Sequence, residues 1–241
     1  MIFLRKRFCL LFLFTVVSLY AADREICIRV GVSRGWGSNG LIEVFNTEPY
    51  IRAFEVEKFT PDILAECDVL VITQRASAIP ITRTSALIKQ WVESGKGILF
   101  MHGSVGYKSH IPIFPEIGIG GDVLKTEKIK VVREHPITEG LKSGEFFIYS
   151  SGYNCISLKK GVSGESLLTS EEGIPFLVVG NVGKGRVVLN GIGAGAAGDQ
   201  FDPHLPVSPE DITEFKKPVS DELKVLLNSI KWLSSVAIGG K

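Results

Sequence analysis

Ile81-Thr-Arg-Thr-Ser-Ala-Leu-Ile-Lys-Gln-Trp-Val-Glu-Ser-Gly-Lys-Gly-Ile-Leu-Phe-Met-His102 decides the fold. Leu87 and Ile88 are answered four residues later by Trp91 and Val92. That spacing puts all four on one face of a helix, and it predicts a helix over Thr82 to Ser94. Gly95 and Gly97 supply a C-terminal stop. From Gly97 to His102 the chain is then continuously apolar, without the alternation of a half-exposed strand. Such a run is buried on both faces, as in a parallel sheet with helices above and below. The strand ends in a sharp turn, Gly103-Ser104-Val105-Gly106.

Upstream, Asp68-Val-Leu-Val-Ile-Thr73 is a second run of the same kind, and Ile26 to Val32 reads as a further strand, rich in β-branched residues and ending in a Gly-rich turn. Between them, Leu41, Ile42, Phe45 and Ile51 recur at roughly helical spacing. A short strand over Phe54 to Phe59 and a capped turn at Thr60-Pro61-Asp62 follow. Downstream of Pro112 the pattern changes to shorter strands at Ile129 to Val132, Glu145 to Tyr149, Ser166 to Thr169, Pro175 to Val182 and Arg186 to Ile192. The last two flank Gly183-Lys184-Gly185 and read as a hairpin. A final amphipathic helix from Ser220 to Ser234 carries Leu223, Leu226, Leu227, Ile230 and Leu233 on one face. The prediction is an α/β fold with a mainly parallel central sheet and an antiparallel portion in the second half.

The 241-residue chain opens with Arg5, Lys6 and Arg7, an apolar run from Phe8 to Tyr20, and the small residues Ala21 and Ala22. This is the layout of a secretory signal peptide over 1–22. As a helix the run spans about 20 Å, short of the roughly 30 Å hydrocarbon core, so stable membrane insertion after processing is not expected. The protein is expected to be exported, periplasmic or secreted, with 23–241 as a single domain. No Pro/Ser-rich linker, charge block or internal repeat divides those residues, and a 45% apolar composition can bury a sizeable core. A formal net charge of +1 argues against a nucleic-acid partner, which needs clustered Lys and Arg. A small polar molecule is the expected partner.

Without the leader, Cys27, Cys67 and Cys155 remain, an odd number for an oxidising compartment. They allow one pair plus a free thiol, or three buried thiols; burial as small hydrophobes is the simpler reading for Cys27 and Cys67. No Cys-x-x-Cys or His-x-x-x-His spacing points to a structural zinc site.

The run from Ile81 to His102 also resembles the helix, glycine and strand-to-His segment of the ThuA-like (trehalose-utilisation) family, a branch of the class I glutamine amidotransferase-like superfamily. His135-Pro-Ile-Thr-Glu-Gly-Leu141 resembles that family's loop of the same form. Val182-Gly-Lys-Gly-Arg-Val-Val188 resembles its late hairpin. The resemblance covers roughly residues 26 to 235 and implies a three-layer, flavodoxin-like fold. In glutamine-hydrolysing relatives the corresponding strand leads into a nucleophile elbow bearing a catalytic Cys. Here the elbow reads His102-Gly103-Ser104-Val105-Gly106, so thiolate chemistry does not carry over. The family's carbohydrate links imply a small polar ligand such as a sugar derivative.

A tight strand-to-helix turn exposes its side chains above the carboxyl ends of parallel strands, where α/β proteins bind ligands. Ser104 is a candidate nucleophile there, since His-x-Ser-x-Gly approximates the hydrolase elbow, with His204 as base and Asp202 or Asp199 as its orienter. A turn that simply needs Gly and Ser is the plainer reading. His102 can bind a ligand, accept a proton or satisfy a buried hydrogen bond. His135 is expected to order its own loop, and His110 to lie at the surface. Three of the four histidines fall on loops that could converge at the sheet's carboxyl edge. A metal site from His102, His204 and Asp202 or Asp199 has suitable ligand types but no local spacing to support it, and none is assigned.

Gly35-Trp36-Gly37-Ser-Asn-Gly40 matches a dinucleotide fingerprint in form, with Glu57 about twenty residues on. Its first Gly lies three residues past Val32, and Trp36 would crowd the pyrophosphate. A site-rim loop is preferred over an NAD-dependent oxidoreductase, and no cofactor is expected. Trp36 would instead offer a flat face to a sugar ring. The run Gly191-Ile-Gly193-Ala-Gly-Ala-Ala-Gly198 allows close backbone approach, either to the ligand or to a neighbouring element. The expected pocket joins Gly35 to Gly40, His102, Gly103 and Ser104, and Gly193 to His204. A hydrolase and a non-catalytic binding or scaffolding domain are both consistent with it.

Overall fold

The computed structural model describes residues 27–35, 37–73, 78–108, 111–148, 154–192 and 221–238. The expected leader, Trp36, His110, and the segment carrying Gly193, Asp199, Asp202 and His204 lie outside them. The first half alternates strand and helix: β1 (Ile28–Ser33), α1 (Ser38–Asn46), β2 (Ile51–Val56), α2 (Pro61–Ala65), β3 (Val69–Ile72), α3 (Ala78–Arg83), α4 (Ser85–Glu93) and β4 (Gly97–Met101). A 3₁₀ turn, His102–Val105, follows. The second half holds β5 (Gly118–Leu124), β6 (Lys128–Val131), β7 (Phe146–Ile148), β8 (Cys155–Lys160), β9 (Glu165–Thr169), β10 (Pro175–Val182), β11 (Gly185–Asn190) and α5 (Asp221–Ile238).

Nine strands form one sheet in the order β2-β1-β3-β4-β11-β10-β9-β6-β7. From β2 to β11 every neighbour is parallel, and from β11 to β7 every neighbour is antiparallel. The mainly parallel core with an antiparallel second half is therefore the observed architecture. Its two faces carry separate apolar layers. Val30, Val71, Leu99 and Val188 pack beneath α1 and α5, and Leu70, Ile98, Val187 and Leu189 pack beneath α2 and α4. Among the described residues no helix is long and apolar enough to cross a membrane.

Differences from the sequence reading have local causes. Ile51 opens β2 rather than extending α1, because the Asn46 side chain turns the chain by accepting from the Ala53 N–H (2.7 Å) and donating to the Ala53 carbonyl (3.1 Å). The strand expected at Phe54 to Phe59 accordingly starts three residues earlier. The helix expected from Thr82 is two pieces, with Thr84 the junction, its hydroxyl donating to the Pro80 carbonyl at 2.8 Å. Strands β5 and β8, a separate two-stranded antiparallel ribbon, have no counterpart in the sequence reading. Cys67 is buried as expected and Cys155 is buried too, but Cys27, expected to be buried, is exposed just before β1. None of the three is in a disulfide.

Candidate functional site

All four parallel strands next to one another from β1 to β11 end on the same edge of the sheet, and each ends in a polar group. Ser33 closes β1 and Thr73 follows β3. Thr73 N–H donates to Ser33 Oγ at 2.9 Å, and its hydroxyl donates to the Ser33 carbonyl at 3.2 Å. Strand β4 leads into His102, and β11 ends at Asn190, whose register partner on β4 is Met101.

His102 is the strained residue of this edge. Its φ of 46° lies in the left-handed region, which a β-carbon disfavours. Such residues persist where the surroundings over-determine them, and they cluster at active sites and ligand clamps. Its ring is half-buried, with Nε2 2.7 Å from the Asn154 carbonyl oxygen. A carbonyl only accepts, so Nε2 carries the hydrogen in this contact and, in the neutral ring, the lone pair sits on Nδ1.

Ser104, two residues on, faces inward and is 4% exposed. Its Oγ accepts from Met101 N–H at 2.8 Å. Its one hydrogen is shared between the carbonyls of Ile72, at 3.0 Å, and Met101, at 2.8 Å, which accept from it. The hydroxyl thus ties the end of β3 to the end of β4 and fixes the turn that lifts His102. Gly103, between them, is half-buried. Gly106 ends the turn at φ 102°.

The first residues of β8 close the other side. Ile156 N–H donates to the Gly191 carbonyl at 2.8 Å, and a β-carbon on Gly191 would stand 1.9 Å from the Ile156 oxygen. At Gly191 the glycine-rich run therefore serves close strand packing. On the β1 side, Gly37 in the left-handed region (φ 82°) opens α1, and Ser38 is wholly buried. Gly40 falls inside α1 and Gly35 just before it, where the Gly35 carbonyl accepts from Ser38 N–H at 3.1 Å. The structure thus brings Gly35, Gly37, His102, Gly103 and Ser104 to one edge. Asn154, Ser38 and Asn190, none of which the sequence reading singled out, join them.

His135 does not converge on this edge. Strand β6 runs antiparallel to β9, β9 to β10 and β10 to β11, so β6 points opposite to β4 and delivers its loop to the amino edge. There the His135 Nδ1 accepts from Ile137 N–H at 3.1 Å and the ring meets Trp232 at 5.0 Å. Its loop-ordering role is as expected from the sequence. An open cleft of about 790 Å³ lies against this loop, lined by Glu134, His135, Thr138, Glu139 and Lys142. Among the described residues no cluster of His, Cys, Asp and Glu could hold a metal.

No curated protein matches this sequence. Solved structures do match it in fold. A cytoplasmic protein of Salmonella typhimurium LT2 is 16% identical, with a TM-score of 0.59 over 85% of this chain and 98% of that one. A putative ThuA-like protein of Bacteroides uniformis is 13% identical, with a TM-score of 0.59 over 89% and 93%. A putative GMP synthase protein of Thermoplasma acidophilum is 13% identical, with a TM-score of 0.55 over 89% and 98%. The fold is thus glutamine amidotransferase-like. The ThuA family model, described as trehalose utilisation, matches residues 39–204, more than half of the chain, and this protein belongs to the ThuA family.

Proposed function

We propose that this protein is exported and binds a small polar ligand of carbohydrate character at the carboxyl edge of β1, β3, β4 and β11, with His102 as the central contact. The observation that carries the reading is the left-handed backbone of His102 at the tip of β4. Glycine would hold that conformation without strain, so a histidine there supports a use for its ring. The expected contributions of Trp36, Gly193, Asp199, Asp202 and His204 belong to this proposal. The description of the family as trehalose utilisation agrees with a sugar ligand.

Hydrolysis is the second reading, favoured by the tautomer of His102. With Nε2–H donating to Asn154, the basic nitrogen of the neutral ring is Nδ1, suited to drawing a proton from water. In this version Ser104 positions the turn, because its hydroxyl is spent on Ile72 and Met101.

A thermal-shift screen of sugars, sugar acids and amides on the wild type and on His102→Gly tests both readings. A ligand at one hundred times its Kd stabilises by about 2.7 kcal/mol, well within reach of such a screen. The expected result is a shift with a sugar in the wild type that is lost in the variant, while the unliganded variant melts no lower. A ligand recovered intact assigns binding, and a cleaved one assigns hydrolysis. An equal shift in the variant would remove His102 from the site.

A further inference from the structure

Two buried side-chain polar atoms among the described residues have no hydrogen-bond partner, and both lie at this same edge: Ser38 Oγ and Asn190 Nδ2. Both residues are fully buried. Folded proteins pair the large majority of such atoms, since an unpaired buried donor costs about 1–3 kcal/mol. The rest of Asn190 is well anchored, its Oδ1 accepting from Ile192 N–H at 2.9 Å, which leaves both amide hydrogens unspent in a fixed direction. Alternation along β11 places Asn190 on the face that Val188 shares with Met101. Adjacent strands lie about 4.8 Å apart, so the amide sits one strand from the base of the His102 turn. Ser38 occupies the first turn of α1, at the end of β1, three strands or about 14 Å away along the edge.

We infer that Asn190 and Ser38 are hydrogen-bonding anchors for an elongated, uncharged, oxygen-rich ligand lying along the carboxyl edge. The amide donates to a ligand hydroxyl or ring oxygen, and the serine hydroxyl donates or accepts as the ligand requires. The inference rests on the edge being a ligand site and adds which side chains read the ligand and in what class. Ser33, Thr73 and Asn190 present neutral donors and acceptors, the groups that pair with a polyol's hydroxyls, and Arg34 beside Ser33 is already matched by Glu57 at 2.6 Å.

The test is NMR on the purified protein with two probes, trehalose as a neutral polyol and acetate as a carboxylate. The Asn190 side-chain NH₂ pair is followed beside the backbone amides of His102 and Gly103. Trehalose is expected to move the Asn190 pair saturably, and acetate to leave it in place. Ser38→Ala removes no hydrogen bond of the unliganded protein, so its melting temperature should match or exceed the wild type, with trehalose bound about tenfold more weakly. If the His102 and Gly103 amides respond while the Asn190 pair stays still, or the pair contacts only a long-lived water, this inference falls and the ligand site survives. If acetate moves the pair and trehalose does not, the uncharged class is wrong. If nothing at the edge responds to either probe, the site itself falls as well. A Ser38→Ala protein melting several degrees lower would make that serine structural and remove it from the ligand.

Discussion

Ser104 and His102 divide the work of one turn between them, and the division follows from which way each side chain faces. A pattern match to a hydrolase elbow puts the reactive position at Ser104, because a serine stands where the motif wants one. The backbone puts the strain at His102, two residues earlier. Motif spacing records residue types, whereas the elbow is defined by the residue whose φ turns positive, and φ is invisible in the sequence unless a glycine marks it. Ser104→Ala should therefore behave as the loss of a structural tie. The Met101 amide and the Ile72 carbonyl lose a buried partner, and stability should fall by about 1–3 kcal/mol in urea denaturation. An alanine variant as stable as the wild type would return the serine hydroxyl to the list of groups kept for chemistry.

At the level of elements, two packing devices fix α5 and both are testable. Gly97 starts β4 directly under the helix, where an added β-carbon would stand 2.6 Å from Leu233 Cβ and 2.7 Å from the Leu233 carbonyl. Of the two glycines expected to stop the preceding helix, Gly95 does so, at φ 118°. Gly97→Ala should cost about 1–3 kcal/mol in urea denaturation. Trimming Leu233 to Ala should not restore it, because the clash is with Cβ and backbone. At the amino edge, Asn228 Nδ2 donates to the Ile137 and Glu139 carbonyls, so α5 grips the loop that His135 caps. Burial pushes the His135 imidazole below its ordinary value near 6.5; Glu165 opposes this and Arg186 and Arg133 reinforce it. Capping requires the unprotonated Nδ1. As pH falls below 6.5 the unfolded chain takes up a proton that the folded chain resists, so stability declines down to the folded value and then levels. His135→Asn, which keeps a capping acceptor without titrating, should flatten that decline. A stability difference between the two proteins that is constant from pH 8 to pH 5 would exclude the linkage.

For the whole molecule, the legible parts of the sequence were those whose burial is complete on both faces. The runs that became β3 and β4 are continuous apolar stretches, the run of β1 is broken only by Arg29, and α4 and α5 carry unbroken stripes. Strands β5 and β8 escaped because Gly118-Ile-Gly-Gly-Asp-Val-Leu124 is half-exposed and glycine-rich, and its β-structure comes from pairing with a partner more than thirty residues away. The candidate carboxyl-edge site was legible at the His102 turn and at the Gly35 to Gly40 loop but not at Asn190, which reaches that edge through the register of β11 on β4, a contact of about ninety residues' separation that no local pattern encodes. The same long-range pairing bears on how the chain unfolds. The strand pair β4 and β11 joins the parallel half to the antiparallel half, and each apolar layer runs through that joint. One layer unites Val30 and Leu99 with Ile129, Leu168 and Leu226, and the other unites Leu70 and Ile98 with Val178 and Leu158. Neither half can open without exposing the core of the other, so the chain should lose its structure in a single cooperative step. Trp91 reports on the second layer and Trp232 on the first. Proteins that keep only one of these tryptophans, the others replaced by Phe, should give urea transitions that coincide with each other and with the far-ultraviolet circular dichroism. Separated midpoints would mean that the two halves are distinct folding units joined at β4 and β11.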